Sequence, residues 1–382
     1  MKALLFSLFF LILFKSQAQQ HLLVDTHNDV LSSQLLTRAD LGKLQRSGNF
    51  DLVRAAKGGL NAQVFSIWCD ESLGKGKAFS RANREIDSLY ALIKRNPQKI
   101  VLVKNAAELR QAYKQNRLAA LIGVEGGHMI ENRMDYLDSL AKRGMRYLTL
   151  TWNNSTPWAT SARDETSGKT KLKHKGLSDF GKKIVHRLNT LGVIVDISHV
   201  GEATFYDVLA STAKPVIASH SCAYSLNPHR RNLKDKQLKA LASNGGVAFV
   251  NFYSGFLDPS YDAKEQLFLK KYAKELNSLN KIYGPYAPMK LNELHKAEAD
   301  KMRPPLRMLI QHIDHMVKIM GAEHVGIGSD FDGSESYPVG LDSVVDYPKI
   351  AVELRKIGYK EETIGLIFGG NFLRVLTANT GK

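Results

Sequence analysis

Eight short apolar runs, separated by segments long enough to form helices, restrict the fold of this chain more than any other feature. The runs are HLLVDT (21–26), LNAQVFSIW (60–68), LAALIGVE (118–125), MRYLTLTW (145–152), GVIVDIS (192–198), KPVIAS (214–219), GVAFVNFY (246–253) and HVGIGSD (324–330). Nearly continuous Val, Ile and Leu residues are typical of strands buried on both faces, as in a parallel sheet. Eight strands alternating with helices predict an α/β fold, a (β/α)₈ TIM-type barrel. A doubly wound open sheet is the alternative, but neither standard Gly-rich phosphate loop is present.

The segments between these runs agree with the barrel. Residues 180–192 and 304–321 are amphipathic, and the second segment has Pro at its start and Gly at its end. A further run, KIVLVKN (99–105), predicts an extra strand between the second and third barrel strands. Residues 257–304 are rich in Lys, Glu, Leu and Tyr and are too long for a standard loop. We expect them to form a helical insertion after the seventh strand, over or beside the barrel mouth.

The first eighteen residues have the layout of a secretory signal peptide. Lys2 gives a basic start, residues 3–14 are apolar, and Ser16 and Ala18 are the small residues before the expected cleavage point. The apolar run is shorter than the roughly 20 residues that span a bilayer, which argues against a membrane anchor. We therefore expect residues 1–18 to be removed, residues 19–382 to form a single barrel domain, and the protein to be exported, either periplasmic or secreted.

The net charge of +16 raises the question of an anionic partner such as nucleic acid or a membrane surface. Lys and Arg residues are scattered among acidic residues, and no arginine-rich tract is present. We therefore expect no nucleic-acid partner and interpret the chain as a basic exported protein. Cys69 and Cys222 are compatible with one disulfide or with two buried thiols. No CxxC pair is present, so the sequence suggests no cysteine-based zinc site.

Polar residues with metal-binding chemistry stand at or just beyond the ends of the predicted strands. They are His27, Asp29, Glu125, His199, His220 and Asp330. A single histidine at a strand end is more often a hydrogen-bonded core residue than a ligand. In a (β/α)₈ barrel, however, the carboxyl ends of all strands meet at one mouth, so these residues are expected to converge. Imidazole and carboxylate ligands suit zinc, and the joint pattern favours a two-metal hydrolase.

The predicted ligands divide into two pairs. We expect His27 and Asp29 to hold one metal ion and His199 and His220 to hold the other. Glu125 lies between the two pairs in strand order and is the natural bridging ligand. Two cations about 3.5–4 Å apart lower the pKa of a shared water and polarise a carbonyl oxygen.

Asp330, in the stretch GSDFDG (328–333), is expected to accept a proton from that water and to return it to a leaving nitrogen. Asp332 competes for this role. Its alternative interpretation is a turn-stabilising residue before Gly333.

Eight motifs together resemble the membrane dipeptidase (renal dipeptidase) family of zinc peptidases, in order and over almost the whole mature chain. They are VDTHND (24–29), GVEGGH (123–128), RYLTLTWNNSTPW (146–158), DISHV (196–200), SHSCAYSLNPHRRN (219–232), VNFY (250–253), GIGSDFDG (326–333) and GGNFLRVL (369–376). The resemblance implies a metal-dependent hydrolase barrel with two zinc ions that cleaves dipeptides. Many members accept a D-residue at the C-terminal position, some open β-lactams, and members are often dimers.

The resemblance assigns roles residue by residue. It implies the same five metal ligands, with Glu125 bridging, and places Asp330 near the substrate nitrogen and the water. It also implies that Arg231 binds the substrate carboxylate, a role that suits a planar guanidinium. Glu125 and Asp330 are thus the expected catalytic residues, and Arg231 and Asp330 the expected substrate contacts.

The chain departs from the family pattern at Trp152, which is a third expected substrate contact. Mammalian-type members carry there a histidine that helps to polarise the substrate carbonyl. An indole donates one hydrogen bond and carries no charge, so Asn153 or Asn154 is an alternative donor. Cys222 replaces a family serine. No hydrophobic C-terminal tail of the kind that directs a lipid anchor is present, so the resemblance does not extend to mammalian membrane attachment.

Two other functions compete with the dipeptidase. Another barrel amidohydrolase, such as a lactonase or deaminase, usually shows a His-x-His first pair and often a lysine bridge, whereas this chain has His27, Asp29 and Glu125. The third hypothesis is a catalytically weakened binding protein of the same fold. Trp152 is the sequence argument for it, and the retention of all five ligands argues against it.

Overall fold

The computed structural model describes residues 21–73, 76–168 and 170–381, and within them nine parallel strands form one sheet. The strands are β1 Val24–Asn28, β2 Ala62–Ile67, β3 Ile100–Leu102, β4 Leu118–Glu125, β5 Met145–Thr149, β6 Ile194–Asp196, β7 Ile217–Ala218, β8 Val247–Val250 and β9 Val325–Ile327. One strand begins within each predicted run, although β1 continues two residues beyond its run to Asn28, and the extra run contains β3. The predicted signal peptide lies outside the described residues.

Eight of these strands form the barrel in the order β1-β2-β4-β5-β6-β7-β8-β9, and β3 pairs with the first residues of β4. A parallel bridge between Asn28 and Phe331 joins the first strand to the segment after the last one. Backbone hydrogen bonds from Asp29 N to Phe331 O (3.0 Å) and from Asp330 N to His27 O (3.1 Å) reinforce this closure. The predicted (β/α)₈ barrel is confirmed.

Helices follow the strands and surround the sheet. They are α1 Val30–Thr37, α2 Leu52–Lys57, α3 Ala78–Arg95, α4 Ala106–Lys114, α5 Met134–Lys142, α6 Ala162–Ser167, α7 Asp179–Leu191, α8 Glu202–Ser211, α9 Asp235–Ser243, α10 Ser254–Leu257, α11 Tyr261–Lys271, α12 Ala273–Tyr283, α13 Ala287–Leu294, α14 Lys296–Ala299, α15 Leu306–Met320, α16 Tyr347–Lys356, α17 Glu361–Gly365 and α18 Asn371–Thr380. A π-helical turn, Leu366–Gly370, joins the last two helices.

The local sequence explains where these helices begin and end. The side chain of Ser178 accepts a hydrogen bond from Gly181 N and caps the start of α7, and Gly192 ends that helix with a left-handed φ of 66°. Asp51 and Asn105 cap α2 and α4 in the same way. Both amphipathic segments predicted from the sequence form helices, namely α7 and α15.

Adjacent residues of the barrel strands belong to two different apolar layers, because side chains alternate between the two faces of a strand. One layer fills the barrel and includes Val64, Leu121, Ile194 and Phe249. The other lies between sheet and helices and includes Phe65, Ile122, Val195 and Val250. Strands buried on both faces account for the nearly continuous apolar runs in the sequence.

The predicted insertion is helical and comprises α11 to α14, with its own small core that includes Tyr261, Phe268 and Leu291. It follows β8, which is the seventh strand of the barrel because β3 lies outside it. Within the described residues, no helix is long and apolar enough to cross a membrane. Cys69 and Cys222 are both buried free thiols, so the disulfide alternative is wrong.

Candidate metal centre and substrate cavity

The six polar residues singled out in the sequence converge at the barrel mouth, although some of them lie beyond the strands. His27 lies in β1 and Glu125 ends β4, whereas β6 and β7 end before His199 and His220. Asp196 explains these early ends. Its Oδ1 accepts hydrogen bonds from the backbone N–H groups of Ser198 (3.0 Å) and Ser219 (2.8 Å). The carboxylate thus takes the place of the backbone hydrogen bonds that would otherwise continue the strands towards the mouth.

Glu125 stands between two groups of imidazoles. Its Oε2 lies 3.4 Å from His27 Nε2, while its Oε1 lies 2.9 Å from His199 Nε2 and 3.5 Å from His220 Nε2. The Nε2 atoms of His199 and His220 are 3.0 Å apart. One carboxylate therefore turns a different oxygen to each group, an arrangement compatible with a ligand shared by two cations.

Asp29 and Asp330 complete the cluster on the His27 side. Asp29 Oδ2 lies 3.4 Å and Asp330 Oδ1 lies 4.0 Å from His27 Nε2. The other oxygen of Asp330, Oδ2, accepts hydrogen bonds from Asn251 Nδ2 (2.9 Å) and Ser334 Oγ (2.9 Å). These two donors fix the carboxylate and leave Oδ1 directed at the cluster.

Tyr147 fixes the orientation of His27. The Tyr147 hydroxyl donates to Thr26 O (3.1 Å), so it accepts the Nδ1–H of His27 at 2.8 Å. The Nε2 atom of His27 then faces Glu125 and Asp29. Gly123 makes room for this tyrosine, because a Cβ at that position would come 2.0 Å from Tyr147 Cζ. Such a partner for the remote nitrogen is the usual support of a metal-binding histidine.

His220 has an equivalent support. Ser219 Oγ donates to Asp196 Oδ2 (2.7 Å) and therefore accepts the Nδ1–H of His220 at 2.8 Å. Thr149 Oγ1 donates to the same Asp196 oxygen at 2.5 Å. Sequence reasoning missed Tyr147, Asp196 and Ser219, because they lie inside or directly after apolar runs and resemble strand residues.

The electrostatics of the cluster favour the metal-binding forms of three side chains. Burial, together with the positive charge of Arg231, lowers the pKa of His199 to about 3. Burial and the neighbouring His27 and Arg231 also hold the pKa of His220 well below its usual value. Burial alone would raise the pKa of Glu125, but His27 and His199 hold that pKa well below its usual range. Neutral imidazole and ionised carboxylate are the forms that bind metal ions.

The residues around His27 fit a cation. Burial lowers the pKa of His27, but Tyr147, Glu125 and Asp29 raise it well above its usual value, so positive charge is favoured at this position. His27 Nε2 and Asp29 Oδ1 are buried and have no hydrogen-bond partner within the described part of the chain. Buried polar atoms without partners are costly, and a divalent cation bound between them would satisfy both.

A cavity of about 440 Å³ opens above the cluster and is called here the substrate cavity. Its floor includes Asp29, Glu125, His199 and Asp330. Arg231 lines its side, is 4% exposed, and donates from a terminal nitrogen to His220 O (3.2 Å). Burial lowers the pKa of Arg231 to about 10, so its guanidinium remains cationic at neutral pH.

Trp152 lines the substrate cavity from the loop after β5 rather than from the strand itself, which ends at Thr149. Its ring lies 6.3 Å from the ring of His199 and 5.1 Å from that of Trp68, which also lines the cavity. Asn153 lines the cavity as well, whereas Asn154 lines a separate one. Of the two asparagines considered as donors, the structure therefore brings Asn153 to the site.

The outer wall of the substrate cavity is acidic. Asp262 and Glu265 of α11 and Glu335 contribute to it, so the helical insertion supplies part of the wall. Burial, reinforced by the neighbouring Glu335, raises the pKa of Glu265 to about 9. Sequence reasoning placed the insertion near the mouth but did not predict which of its residues face the cavity.

Asp332 does not reach the substrate cavity. Its Oδ1 accepts a hydrogen bond from Asn49 N (2.8 Å), and its own N–H donates to Asn49 Oδ1 (3.1 Å). Asp332 therefore holds the loop that contains Asn49 against the turn GSDFDG, in agreement with its interpretation as a turn-stabilising residue. Asp330 is the acidic residue of this stretch that faces the cluster.

The turn after β9 is unusually constrained. Asp330 and, on the opposite side of the cluster, His199 adopt left-handed φ angles of 60° and 65°, which non-glycine residues rarely adopt. Backbone strain of this kind concentrates at functional sites. A Cβ on Gly333 would lie 2.1 Å from Asp29 Oδ2 and 2.4 Å from Asp330 Oδ1, so this glycine is required by the two carboxylates.

A closed parallel barrel with imidazoles and carboxylates gathered at its mouth, under a cavity, is the arrangement of a metal-dependent hydrolase. Residues 14–381 match the family described as Membrane dipeptidase (Peptidase family M19). The chain belongs to this family, whose members are metal-dependent dipeptidases, hydrolases that act on peptide bonds. The family resemblance read from the sequence is thereby confirmed.

Individual relatives agree with this assignment. The chain is 32% identical to a Schizosaccharomyces pombe protein described as an uncharacterized dipeptidase. The alignment extends over 380 residues and covers 95% of this chain and 81% of the yeast protein. A Rhodobacter sphaeroides metallopeptidase, solved with a phosphinate mimic of the dipeptide L-Ala-D-Ala, has a TM-score of 0.78 at 23% identity and covers 94% of this chain and 99% of its own. The probable dipeptidase PvdM of Pseudomonas aeruginosa has a TM-score of 0.77 at 24% identity, with 95% and 96% covered. These two structures share the fold of this chain.

Proposed function

We propose that this chain is an exported dipeptidase with two zinc ions that hydrolyses dipeptides and tolerates a D-residue at the C-terminal position. The observation that carries the proposal is the position of Glu125, with Oε2 3.4 Å from His27 Nε2 and Oε1 2.9 Å from His199 Nε2. A carboxylate in this position suits a bridge between two ions. The donor set of nitrogen and oxygen atoms, with no thiolate among these residues, suits zinc.

The proposed ligands divide around Glu125. His27 and Asp29 would hold one ion, and His199 and His220 would hold the other, with one Glu125 oxygen directed to each side. When bound, the two ions lower the pKa of a water molecule towards neutrality and polarise the scissile carbonyl. Tyr147 and Ser219 hold the Nδ1 atoms of His27 and His220, so both Nε2 atoms are directed towards the proposed ions.

Asp330 is proposed as the group that moves the proton. Asn251 and Ser334 hold its Oδ2, so Oδ1 is available on the side of the cluster. This oxygen accepts a proton from the attacking water as the C–O bond forms. It then gives the proton to the leaving nitrogen as the C–N bond breaks, which yields two amino acids.

We propose that Arg231 and the acidic outer wall of the substrate cavity together restrict the substrate to dipeptides. Arg231 binds the free C-terminal carboxylate through its guanidinium, while Asp330 and the acidic residue Glu335 face the free amino group. Both charged ends of a dipeptide then find opposite charges in one cavity, and a longer peptide loses one of these contacts. Tolerance of a D-residue is supported by the Rhodobacter sphaeroides structure, whose bound phosphinate is a mimic of the dipeptide L-Ala-D-Ala.

The direct test combines metal analysis with a substrate screen on the purified mature protein. We expect two zinc ions per chain, hydrolysis of L-Ala-L-Ala and L-Ala-D-Ala, and no hydrolysis of a tripeptide. Removal of the metal by a chelator should abolish the activity, and added zinc should restore it. Fully active protein with one metal ion or none would refute the two-zinc centre, and equal cleavage of tripeptides would refute the dipeptide specificity.

Arg231→Ala is expected to lower kcat/KM for dipeptides about ten- to a hundred-fold while both metal ions remain bound. Loss of a charge-assisted contact costs roughly 1.5–3 kcal/mol, at 1.4 kcal/mol per tenfold. Amidation of the substrate's C-terminus should cause a similar loss in the wild type and little further loss in the variant. The measurement compares free and amidated dipeptides on both proteins, and Arg231→Lys serves as the variant that keeps the charge without the planar fork. Equal turnover of free and amidated dipeptides by the wild type would contradict the carboxylate contact.

Export is proposed from the layout of the first eighteen residues, with Lys2, an apolar run and the small residues Ser16 and Ala18. We expect the mature protein to begin near Gln19 and to lie outside the cytoplasm. Mass spectrometry of the protein from its native cells measures the start of the chain, and cell fractionation locates it. An intact Met1 on a cytoplasmic form would contradict this part of the proposal and leave the dipeptidase activity untouched.

A further inference from the structure

Two of the three tryptophans of the chain line the substrate cavity instead of the core. Trp158 is 1% exposed, whereas Trp68 and Trp152 are both partly exposed. The indole rings of Trp68 and Trp152 meet edge to face with their centroids 5.1 Å apart, and Tyr286 of the insertion meets Trp68 at 6.2 Å and also lines the cavity. These three rings are called here the aromatic wall. Aromatic surface that remains accessible inside a cavity is suited to bind an apolar group.

The aromatic wall and the metal centre border one continuous cavity. Glu125 and Arg231 line the same space as the wall, so a substrate held at the cluster reaches the wall without crossing a partition. Trp152 is the ring closest to the cluster. Its centroid lies 6.3 Å from that of His199, and a Cβ on Gly126, the residue after Glu125, would lie 3.3 Å from Trp152 Cβ. Trp152 is therefore packed beside the proposed metal ligands.

The order of the barrel strands indicates which end of the substrate faces Trp152. Trp152 follows β5, His199 follows β6 and Arg231 lies in the segment after β7, so Trp152 and Arg231 flank His199 on its two sides. Asp330 follows β9, which is opposite β5 in the ring of eight strands. In the proposed function Arg231 binds the α-carboxylate and Asp330 faces the amino group. The residue that carries the carboxylate is then the one nearest to Trp152.

The aromatic wall suits a ring better than a small or charged side chain. Its rings carry no charge, and another aromatic ring packed against them gains stability beyond the burial of its apolar surface. A charged side chain at the wall would lose water without gaining a counter-ion. Glu335 follows β9, and Glu265 is its neighbour, so this acidic part of the cavity lies on the side opposite Trp152.

From this juxtaposition we infer that the aromatic wall, with Trp152 as its main contact, binds the side chain of the substrate's C-terminal residue, so that dipeptides ending in an aromatic residue are preferred. The inference rests on the proposed function, in which Arg231 holds the α-carboxylate. The side chain branches from the carbon atom that carries this carboxylate, and both groups lie beside His199. At position 152 the chain thus replaces a polar contact to the substrate carbonyl with an apolar contact to the substrate side chain.

The first experiment measures kcat/KM of the zinc-loaded protein for Ala-Phe, Phe-Ala and Ala-Ala, with the C-terminal residue in L and D forms and the faster form compared. Ala-Phe and Phe-Ala contain the same two residues, so their ratio isolates the position of the ring. We expect Ala-Phe to exceed both other dipeptides about tenfold or more, as is usual for apolar discrimination. Ala-Phe cleaved no faster than Phe-Ala overturns the inference and leaves the proposed function intact, whereas no cleavage of any dipeptide refutes the proposed function.

Variants locate the preference. Trp152→Ala and Trp152→His should each lower the ratio of Ala-Phe to Ala-Ala towards one, and Trp152→Phe should retain most of it because it keeps an aromatic ring. Tyr206→Ala is the control, since Tyr206 is a 40% exposed ring of α8 that does not line the substrate cavity, and it should leave the ratio unchanged. If the ratio persists in Trp152→Ala and Trp152→His, the preference arises elsewhere and the inference is wrong.

A thermal-shift measurement gives a readout that depends neither on turnover nor on the folding of a variant. Free phenylalanine, which is a product of Ala-Phe, should raise the Tm of the zinc-loaded wild type more than alanine does, because a ligand that binds the folded state stabilises it. In Trp152→Ala this difference should disappear. 2-Phenylethylamine, which is phenylalanine without its carboxylate, tests for binding of the ring alone. Equal stabilisation by phenylalanine and 2-phenylethylamine would show that the wall binds rings without Arg231, and the assignment to the C-terminal residue would fall.

Discussion

Glu125→Gln is expected to abolish dipeptide hydrolysis and to lower the metal content of both proposed zinc positions together. Two divalent cations at short distance repel each other four times as strongly as two single charges, and Glu125 is the anion placed between them. The amide keeps the shape of the side chain but removes its charge and turns N–H donors towards one ion. Loss of one partner from a buried charge cluster costs about 3–5 kcal/mol, which corresponds to a hundred- to several-thousand-fold weaker binding of the metal ions.

The measurement is zinc per chain by elemental analysis together with kcat/KM for a dipeptide. Glu85→Gln is the matched control, because Glu85 is also fully buried, accepts hydrogen bonds from Arg81 Nε (2.6 Å) and Trp68 N (2.8 Å), and belongs to no proposed ligand set. Burial raises the pKa of Glu85 to about 8, so its neutral form resembles the amide and the control should keep both zinc ions. A Glu125→Gln protein with two zinc ions and full turnover would show that Glu125 is not the bridge.

The barrel and the residues at its mouth were predictable from the sequence for one physical reason. Strands buried on both faces produce apolar runs that stand out, and the carboxyl ends of parallel strands meet at one place. His27 and Glu125 therefore had to lie near each other once the barrel was accepted, although β2 lies between their strands in the barrel. The family motifs then added Arg231, which strand position alone does not single out.

The supporting residues were not predictable in this way. Asp196 lies inside a run that resembles a buried strand, yet its carboxylate ends β6, holds Ser219 and so orients His220. Tyr147 has the same ambiguity, because a tyrosine in a strand is ordinarily a packing residue. Their roles depend on contacts between different strands, and a single sequence does not report such contacts. A buried Asp in the middle of an apolar run was nevertheless a signal, since buried carboxylates are rare unless they are paired.

Gly333, in the turn GSDFDG, is another residue whose role depends on contacts that a single sequence does not report. Gly333 was noted only as the glycine after a turn-stabilising Asp332, which is a common use of glycine. Gly333 is absent from the residues with positive φ in the described part of the chain, so its backbone does not require glycine. What requires it is space, because a Cβ would lie 2.1 Å from Asp29 Oδ2 and 2.4 Å from Asp330 Oδ1.

Gly333→Ala is accordingly expected to reduce kcat/KM about a hundredfold or more by displacing a proposed zinc ligand and the proposed proton acceptor at once. Contacts below 3.0 Å force something to move, and misplacement of reacting groups by about 1 Å costs on the order of 10²-fold. Asn251 and Ser334 hold Asp330 in place, so Asp29 is the side chain more easily pushed away, and zinc content should fall first on the His27 side.

The test compares zinc content, kcat/KM and Tm of Gly333→Ala with those of Gly370→Ala, where the nearest heavy atom to an added Cβ is 3.3 Å away and outside the metal centre. Both substitutions add one methyl group at a glycine without positive φ, so a general effect of alanine should appear in both. We expect Gly370→Ala to retain two zinc ions and near wild-type turnover. Full zinc content and full activity in Gly333→Ala would mean that Asp29 and Asp330 can move apart freely, and that their closeness in the structure is not needed for catalysis.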